Sequence, residues 1–304
     1  MTPMLDQIRE GEAPAAVAGI YRDIRQELRS TYVPLFFRVL AVHRGCLRAV
    51  WDQLRPNVAT QAFEALSDEL RARLAVAAVD LGTPLIEPVL TGSGFDVDDL
   101  DDLREQVDLF HYVDPKTLLC VGAVEGLAEG VRVGGSPVPR ELLRPIPPGA
   151  PVDVPDLALL PEEPGGVMGE LLHIITHTLG LPSTEIDLRA LGHWPAFVDV
   201  AWREVGSPLF RHPSLPATLD RLQSTVRHLA GQLPFPIDGT QGALAESPDA
   251  LVAATRIVST LRVPVLRLAL FAASLKVALD GAQEARGSPF PVEWEQPSID
   301  QIEV

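Results

Sequence analysis

Asp187 to Val205 reads DLRALGHWPAFVDVAWREV, and Phe36 to Leu54 reads FFRVLAVHRGCLRAVWDQL. A shift of 151 positions lays one on the other without a gap, placing Arg38 on Arg189, Leu40 on Leu191 and Trp51 on Trp202. The same shift carried upstream places Glu12 on Glu163, Ile24 on Ile175 and Leu28 on Leu179, and carried downstream it places Gly130 on Gly281. One offset shared by separate blocks predicts a tandem duplication, with a period far too long for a solenoid unit. The expected organisation is a helical repeat over 1–130, a proline-rich linker over 131–166, a second helical repeat over 167–285 and a polar tail over 286–304.

Within the first repeat the apolar positions fall at helical spacing. Val17, Ile20, Tyr21, Ile24 and Leu28 share one face of a helix that opens near Pro14, and Phe63, Leu66, Leu70 and Leu74 share a face of another. Between them Leu35–Leu54 is one kinked helix or two, weakest at Arg44-Gly45 and closed by Pro56. Residues 82–95 read as loop. Asp96–Asp102 reads as an N-cap with an acidic first turn, since it lacks the glycine and terminal glutamate of a calcium loop. A helix to Phe110, a break at His111–Asp114 and a new helix from Pro115 complete the half. The linker's prolines favour an extended path, and its 36 positions reach across a whole half. The second half repeats the plan with helices near 166–181, 186–206, 215–232, 248–261 and 263–281, and a tail from Ala282 that is disordered or lies on the surface. No stretch alternates as a strand does, so the fold class is all-α.

The whole-chain numbers narrow the partners. With 304 residues, 46% hydrophobic, a sizeable core can form, and a net charge of −16 argues against nucleic acid or an anionic membrane surface. The apolar run Val263–Leu279 is interrupted by Arg267 and Lys276 and reads as a core helix. Cys46 and Cys120 read as buried thiols of a reducing compartment, and the polar N-terminus is no signal peptide, so the expected location is cytoplasmic.

The duplication supplies an internal control for chemistry. Residues matched in both halves serve shared architecture: the tryptophans as core or half-interface anchors, the arginines as partners of carboxylates or helix ends. Asp187 is different, because its counterpart is the apolar Phe36. One reading makes it an N-cap; the other makes it a carboxylate in an apolar cavity between the halves, its pKa raised for taking a proton from water. Asp114, in FHYVDPKTLL, is likewise either the cap of a Pro-initiated helix or a second carboxylate facing Asp187. Glu170, His173 and His177 share a helix face, but a bundle metal site needs a second such set and none is evident. No phosphate-binding glycine loop or nucleophile elbow is present.

The FRVLA and LRALG blocks, the RAVWDQLRP and DVAWREV helices that follow them, and the YVDPKTLL stretch resemble the group I 2-haloacid dehalogenases. The resemblance covers most of residues 12–281. It implies an all-α homodimer of duplicated halves, no metal or organic cofactor, and action on both enantiomers of a short 2-halocarboxylic acid. By the same matching Asp187 activates a water that displaces halide from C2 with inversion and no covalent intermediate. Phe36, Phe37, Thr117 and Ile186 are then wall residues of the substrate pocket. The chain departs from the pattern at Asp114, where the family has an asparagine that helps to hold the water. An ionised carboxylate only accepts hydrogen bonds, and it repels an anionic substrate. The rival expectation is therefore a non-catalytic binder of small apolar ligands on the same fold.

Overall fold

The computed structural model describes residues 5–131, 133–152, 154, 157–239 and 248–292. Among these every regular element is a helix, and the extended pairings are two isolated bridges, Thr60 with Pro145 and Val133 with Ile237. Twelve α-helices follow in order among the described residues: α1 (Ala15–Leu28), α2 (Leu35–Leu40), α3 (Cys46–Val58), α4 (Gln61–Asp80), α5 (Glu87–Gly92), α6 (Val97–Ala128), α7 (Gly166–Leu179), α8 (Ile186–Leu191), α9 (Pro195–Val200), α10 (Ser207–Arg211), α11 (Leu215–Gly231) and α12 (Pro248–Asp280).

The centre is the pair α6 and α12, which make the most extensive helix contact in the molecule. From Leu109 to Val124 every α6 residue is buried, and so are the α12 residues from Leu268 to Leu279. A helix apolar all round belongs inside a core, and α12, long and apolar enough to cross a membrane by length and composition, has its side chains packed there instead. Gly122 lets α11 approach α6 closely: a Cβ at that position would lie 2.3 Å from Val226 Cγ1.

Several sequence expectations change in the folded chain. Leu35–Leu54 is two helices, and α3 starts at Gly45, whose φ of 76° suits glycine. Pro56 does not end α3. It lies in the last turn, and the boundary is set by Thr60, whose hydroxyl donates to Asn57 O and accepts from Phe63 N to cap α4. The stretch read as loop contains α5, because Pro88 fits a first helical turn and Leu90 docks into the core. At Asp96 the reading holds, as a capping box with Asp99.

The expected break at His111–Asp114 is absent, and α6 runs straight through Pro115. Proline has no N–H for the carbonyl four residues back. Here that carbonyl, on His111, accepts instead from Nε of the fully buried Arg71 at 3.0 Å. A tertiary contact thus stands in for the lost helix bond. The two helices expected around Pro264 are likewise one, α12. Conversely, 186–206 divides into α8, α9 and a π-helical turn at Ala201–Gly206 that leads into α10. Pro208 sits at the start of α10 and cannot supply a regular helix donor, which accounts for the wider turn before it.

The described part of 131–166 is extended apart from a 3-10 turn at Arg140–Leu143. Backbone bonds tie it to α11's end (Ser136 N to Leu233 O), to the α3–α4 junction (Ile146 N to Ala59 O) and to α8 (Leu160 N to Arg189 O). The beginning of the tail folds inward: Ala285 is buried, its carbonyl meets His111 Nε2 at 2.8 Å, and Phe290 packs edge-on to Tyr112. Residues 293–304 lie outside the described residues.

Candidate active site

Asp187 stands in the first turn of α8. The N-cap position is Glu185, and neither residue caps the helix with its side chain, so the capping reading of Asp187 fails. The side chain is buried and borders a cavity of about 10 Å³, room for about one water. The other walls are Leu188 and Leu191 of α8, Val107 and Phe110 of α6, and Leu268, Phe271, Ala272 and Leu275 of α12. A second chamber of the same size shares Leu188, Leu191, Phe271 and Leu275 with it.

Asp114 is not a helix start. It lies in mid-α6, buried, one turn after Phe110 on the same face. It does not border the cavity, but it meets Asp187 electrostatically. Burial drives its carboxyl well above the usual range, and Asp187 and Glu185 push it further. Asp187 is itself raised to about 7, by burial first, with Glu185 adding to the rise. Its own backbone N–H and the Arg38 guanidinium oppose that rise, and Asp114 has no such counterweight. Both carboxyls are therefore biased toward the protonated form, and Asp114 takes the proton the more readily of the two. Asp187 Oδ1 and Asp114 Oδ2 are both buried without a hydrogen-bond partner.

Arg38 pairs with Glu185 in the interior, as expected of an arginine seeking a carboxylate, and Arg189 Nε donates to Leu160 O at 2.7 Å beside Glu162. Trp51 is a core anchor whose Nε1 donates to Asp23, while Trp202 lies against Phe210 and Phe271. Gly206 permits the latter, since a Cβ there would meet the Trp202 ring at 2.3 Å.

The four expected wall residues are all buried, but none borders the cavity beside Asp187. Phe36 and Phe37 are fully buried and meet edge-on, and Phe37 packs edge-on against Trp51, which turns it into the core of the first half. Thr117 donates its hydroxyl to Val113 O, and Ile186 precedes Asp187 on α8 without reaching the chamber. The walls that sequence reading missed were legible as stripes. Val107 and Phe110 share one face of α6, and Leu268, Phe271, Ala272 and Leu275 recur on one face of α12. Glu170, His173 and His177 lie on the exposed side of α7, and among the described residues no group of three His, Cys, Asp or Glu is placed to hold a metal.

Comparison with known proteins agrees with the helical fold. A family described as "Halocarboxylic acid dehydrogenase DehI" matches residues 31–142. A configuration-inverting 2-haloacid dehalogenase of Alcaligenes xylosoxydans xylosoxydans is 27% identical over 299 residues, covering 95% of this chain and 98% of that protein. An (R)-2-haloacid dehalogenase of Pseudomonas putida is 26% identical over 200 residues, 64% of this chain and 65% of its own. The solved structure of a D-2-haloacid dehalogenase in complex with L-LA superposes with a TM-score of 0.82 at 23% identity, over 90% of this chain and 96% of that one. The chain shares that all-α fold.

Proposed function

We propose that this protein is a 2-haloacid dehalogenase, a hydrolase in which Asp187 activates a water that displaces halide from C2 of a short 2-halocarboxylic acid with inversion. The observation that carries the reading is Asp187 itself: a buried carboxylate with an unpartnered oxygen, bordering a water-sized apolar chamber, with its pKa raised to about 7. A general base works best when its pKa lies near the working pH. The apolar walls suit a carbon–halogen bond, and a desolvated carboxylate polarises a neighbouring water more strongly than an exposed one. Asp114, which takes a proton the more readily of the two, donates as an amide would, so the departure from the asparagine pattern does not favour the non-catalytic reading.

The relatives' names support inversion, and they support the D enantiomer as the first substrate to assay. We infer the tandem duplication too, on the recurrence at 151 residues of the left-handed terminators Arg29 and Gly180 and of the positive-φ glycines Gly130 and Gly281. A homodimer in the cytoplasm completes the reading, supported for the compartment by two buried, free thiols.

The test is a single turnover of D-2-chloropropionate in ¹⁸O-water. Direct attack by water puts ¹⁸O into the first lactate formed, of inverted configuration. A first turnover carrying ¹⁶O from the protein, with label appearing later, would show an aspartyl ester instead and overturn the water mechanism. Absence of halide release would overturn the activity.

A further inference from the structure

The proposed substrate is an anion, and the site built around Asp187 is rich in carboxylates, so its carboxylate group needs donors that are not already engaged. Two such donors are present. Tyr32 is 5% exposed and Arg38 4% exposed, and Tyr32 Oη and Arg38 Nε are both buried with no hydrogen-bond partner. A buried hydroxyl or guanidinium N–H left unmatched is costly, so each such group needs an explanation.

Their placement supplies one. Tyr32 is held by its backbone: Ser30 Oγ accepts from Tyr32 N at 3.2 Å and donates to Tyr32 O at 2.8 Å, and the next amide, of Val33, donates to Glu10. Its ring packs edge-on against Phe110 at 6.2 Å, and Phe110 is a wall of the chamber that Asp187 borders. Arg38 enters from α2 and is anchored through one terminal nitrogen to Glu185, two residues before Asp187, leaving Nε unused. Both residues interact electrostatically with Asp187. Asp187 thus borders an apolar chamber and is felt electrostatically by a tyrosine and a guanidinium that each keep one unmatched buried polar atom. A 2-haloacid has two ends, one carbon–halogen and one carboxylate.

We propose that Tyr32 Oη and Arg38 Nε form the receptor for the substrate carboxylate, selecting acids over neutral analogues and turning the C2–halogen bond toward the apolar chamber. This rests on the dehalogenase reading for the identity of the acid. Arg38 supplies the positive charge that offsets Glu185 and the incoming anion. Tyr32 supplies a neutral donor that stays protonated among the acidic groups. Both bonds form in the bound ground state and persist in the transition state, so their loss falls on KM and leaves kcat largely alone.

The experiment compares wild type, Tyr32→Phe, and the charge-neutral double variant Arg38→Met/Glu185→Gln, which leaves no Glu185 carboxylate without its partner. Tyr32→Phe removes one oxygen and no ring packing. Halide release from 2-chloropropionate and from neutral 2-chloropropionamide is measured, with calorimetric binding of unreactive propionate and propionamide alongside. The expected result for Tyr32→Phe is a KM for 2-chloropropionate, and a Kd for propionate, higher by about tenfold or more, with the amides unaffected. The double variant is expected to lose about a hundredfold on the acids. Equal losses on acid and amide, or unchanged acid affinity in Tyr32→Phe, would overturn the receptor while leaving the dehalogenase reading intact. If the wild type releases no halide yet binds propionate through Tyr32, the activity falls and the receptor stands. A wild type that binds no propionate overturns the receptor.

Discussion

Asp114 and Lys116 sit two residues apart on α6, both buried, and they face opposite ways into two very different charged interiors. On the Lys116 side the buried acid, Glu64, has its cation. Lys116 Nζ lies 2.7 Å from Glu64, donates to Leu28 O at 3.2 Å, and stands 3.6 Å above the Tyr112 ring. Arg71 and Arg29 approach the same ring, and Arg29 donates to the Tyr112 hydroxyl at 3.0 Å. Burial lowers the Lys116 pKa to about 8 against the pull of Glu64, and Glu64, which burial alone would raise, is held below its usual range by Lys116 and its neighbours. On the Asp114 side the count is uneven: three acids, Asp114, Asp187 and Glu185, against Arg38. Equal burial with matched partners makes a clamp; burial with an unmatched carboxylate makes a base.

The comparison is broken most directly at Asp187. Asp187→Asn should lower halide release by about 10²–10⁴-fold, the range a general base contributes, with the fold intact by circular dichroism. An active Asp187→Asn would place the base elsewhere.

The clamp should respond in stability rather than in chemistry. Lys116→Met leaves Glu64 buried without its cation and should cost about 3–5 kcal/mol in urea unfolding, while Lys116→Met with Glu64→Leu recovers much of that. Were the single and double variants equally unstable, the ion pair would not be what holds α6 to α4.

The pH dependence of stability separates the two sides. The folded Asp187 pKa lies near 7, above the ordinary aspartate value, so its contribution to stability is full below about pH 4 and is lost as pH rises through about 7. Wild type should therefore lose stability relative to Asp187→Asn across that window, while halide release rises over the same range as the base ionises. A thermal-midpoint difference that stays flat from pH 4 to 8 would contradict the raised pKa.

The smallest effect belongs to Asp114. Because it takes the proton the more readily of the two, Asp114→Asn exchanges one donor for another and should change turnover at neutral pH by no more than about threefold. A much larger gain would mean that the proton had been on Asp187.

The sequence alone determined that the chain is helical, where most helices begin, and that Asp187 is chemically out of place, because these depend on local period, capping residues and a polar residue facing an apolar counterpart. Asp187 was readable since nothing in the helical pattern around Ile186 and Leu188 calls for a carboxylate. Tertiary structure decided the rest. Pro115 reads as a helix start until Arg71, forty-four residues earlier, supplies the donor that the His111 carbonyl lacks. The same distance effect hid Tyr32 and the Arg38–Glu185 pair, whose members lie 147 residues apart. Nor could the sequence tell Phe36 and Phe37 from the apolar residues that border the chamber, since all are equally apolar. Whether an apolar side chain lines a chamber or fills a core depends on what packs opposite it, and only the assembled α6, α8 and α12 settle that.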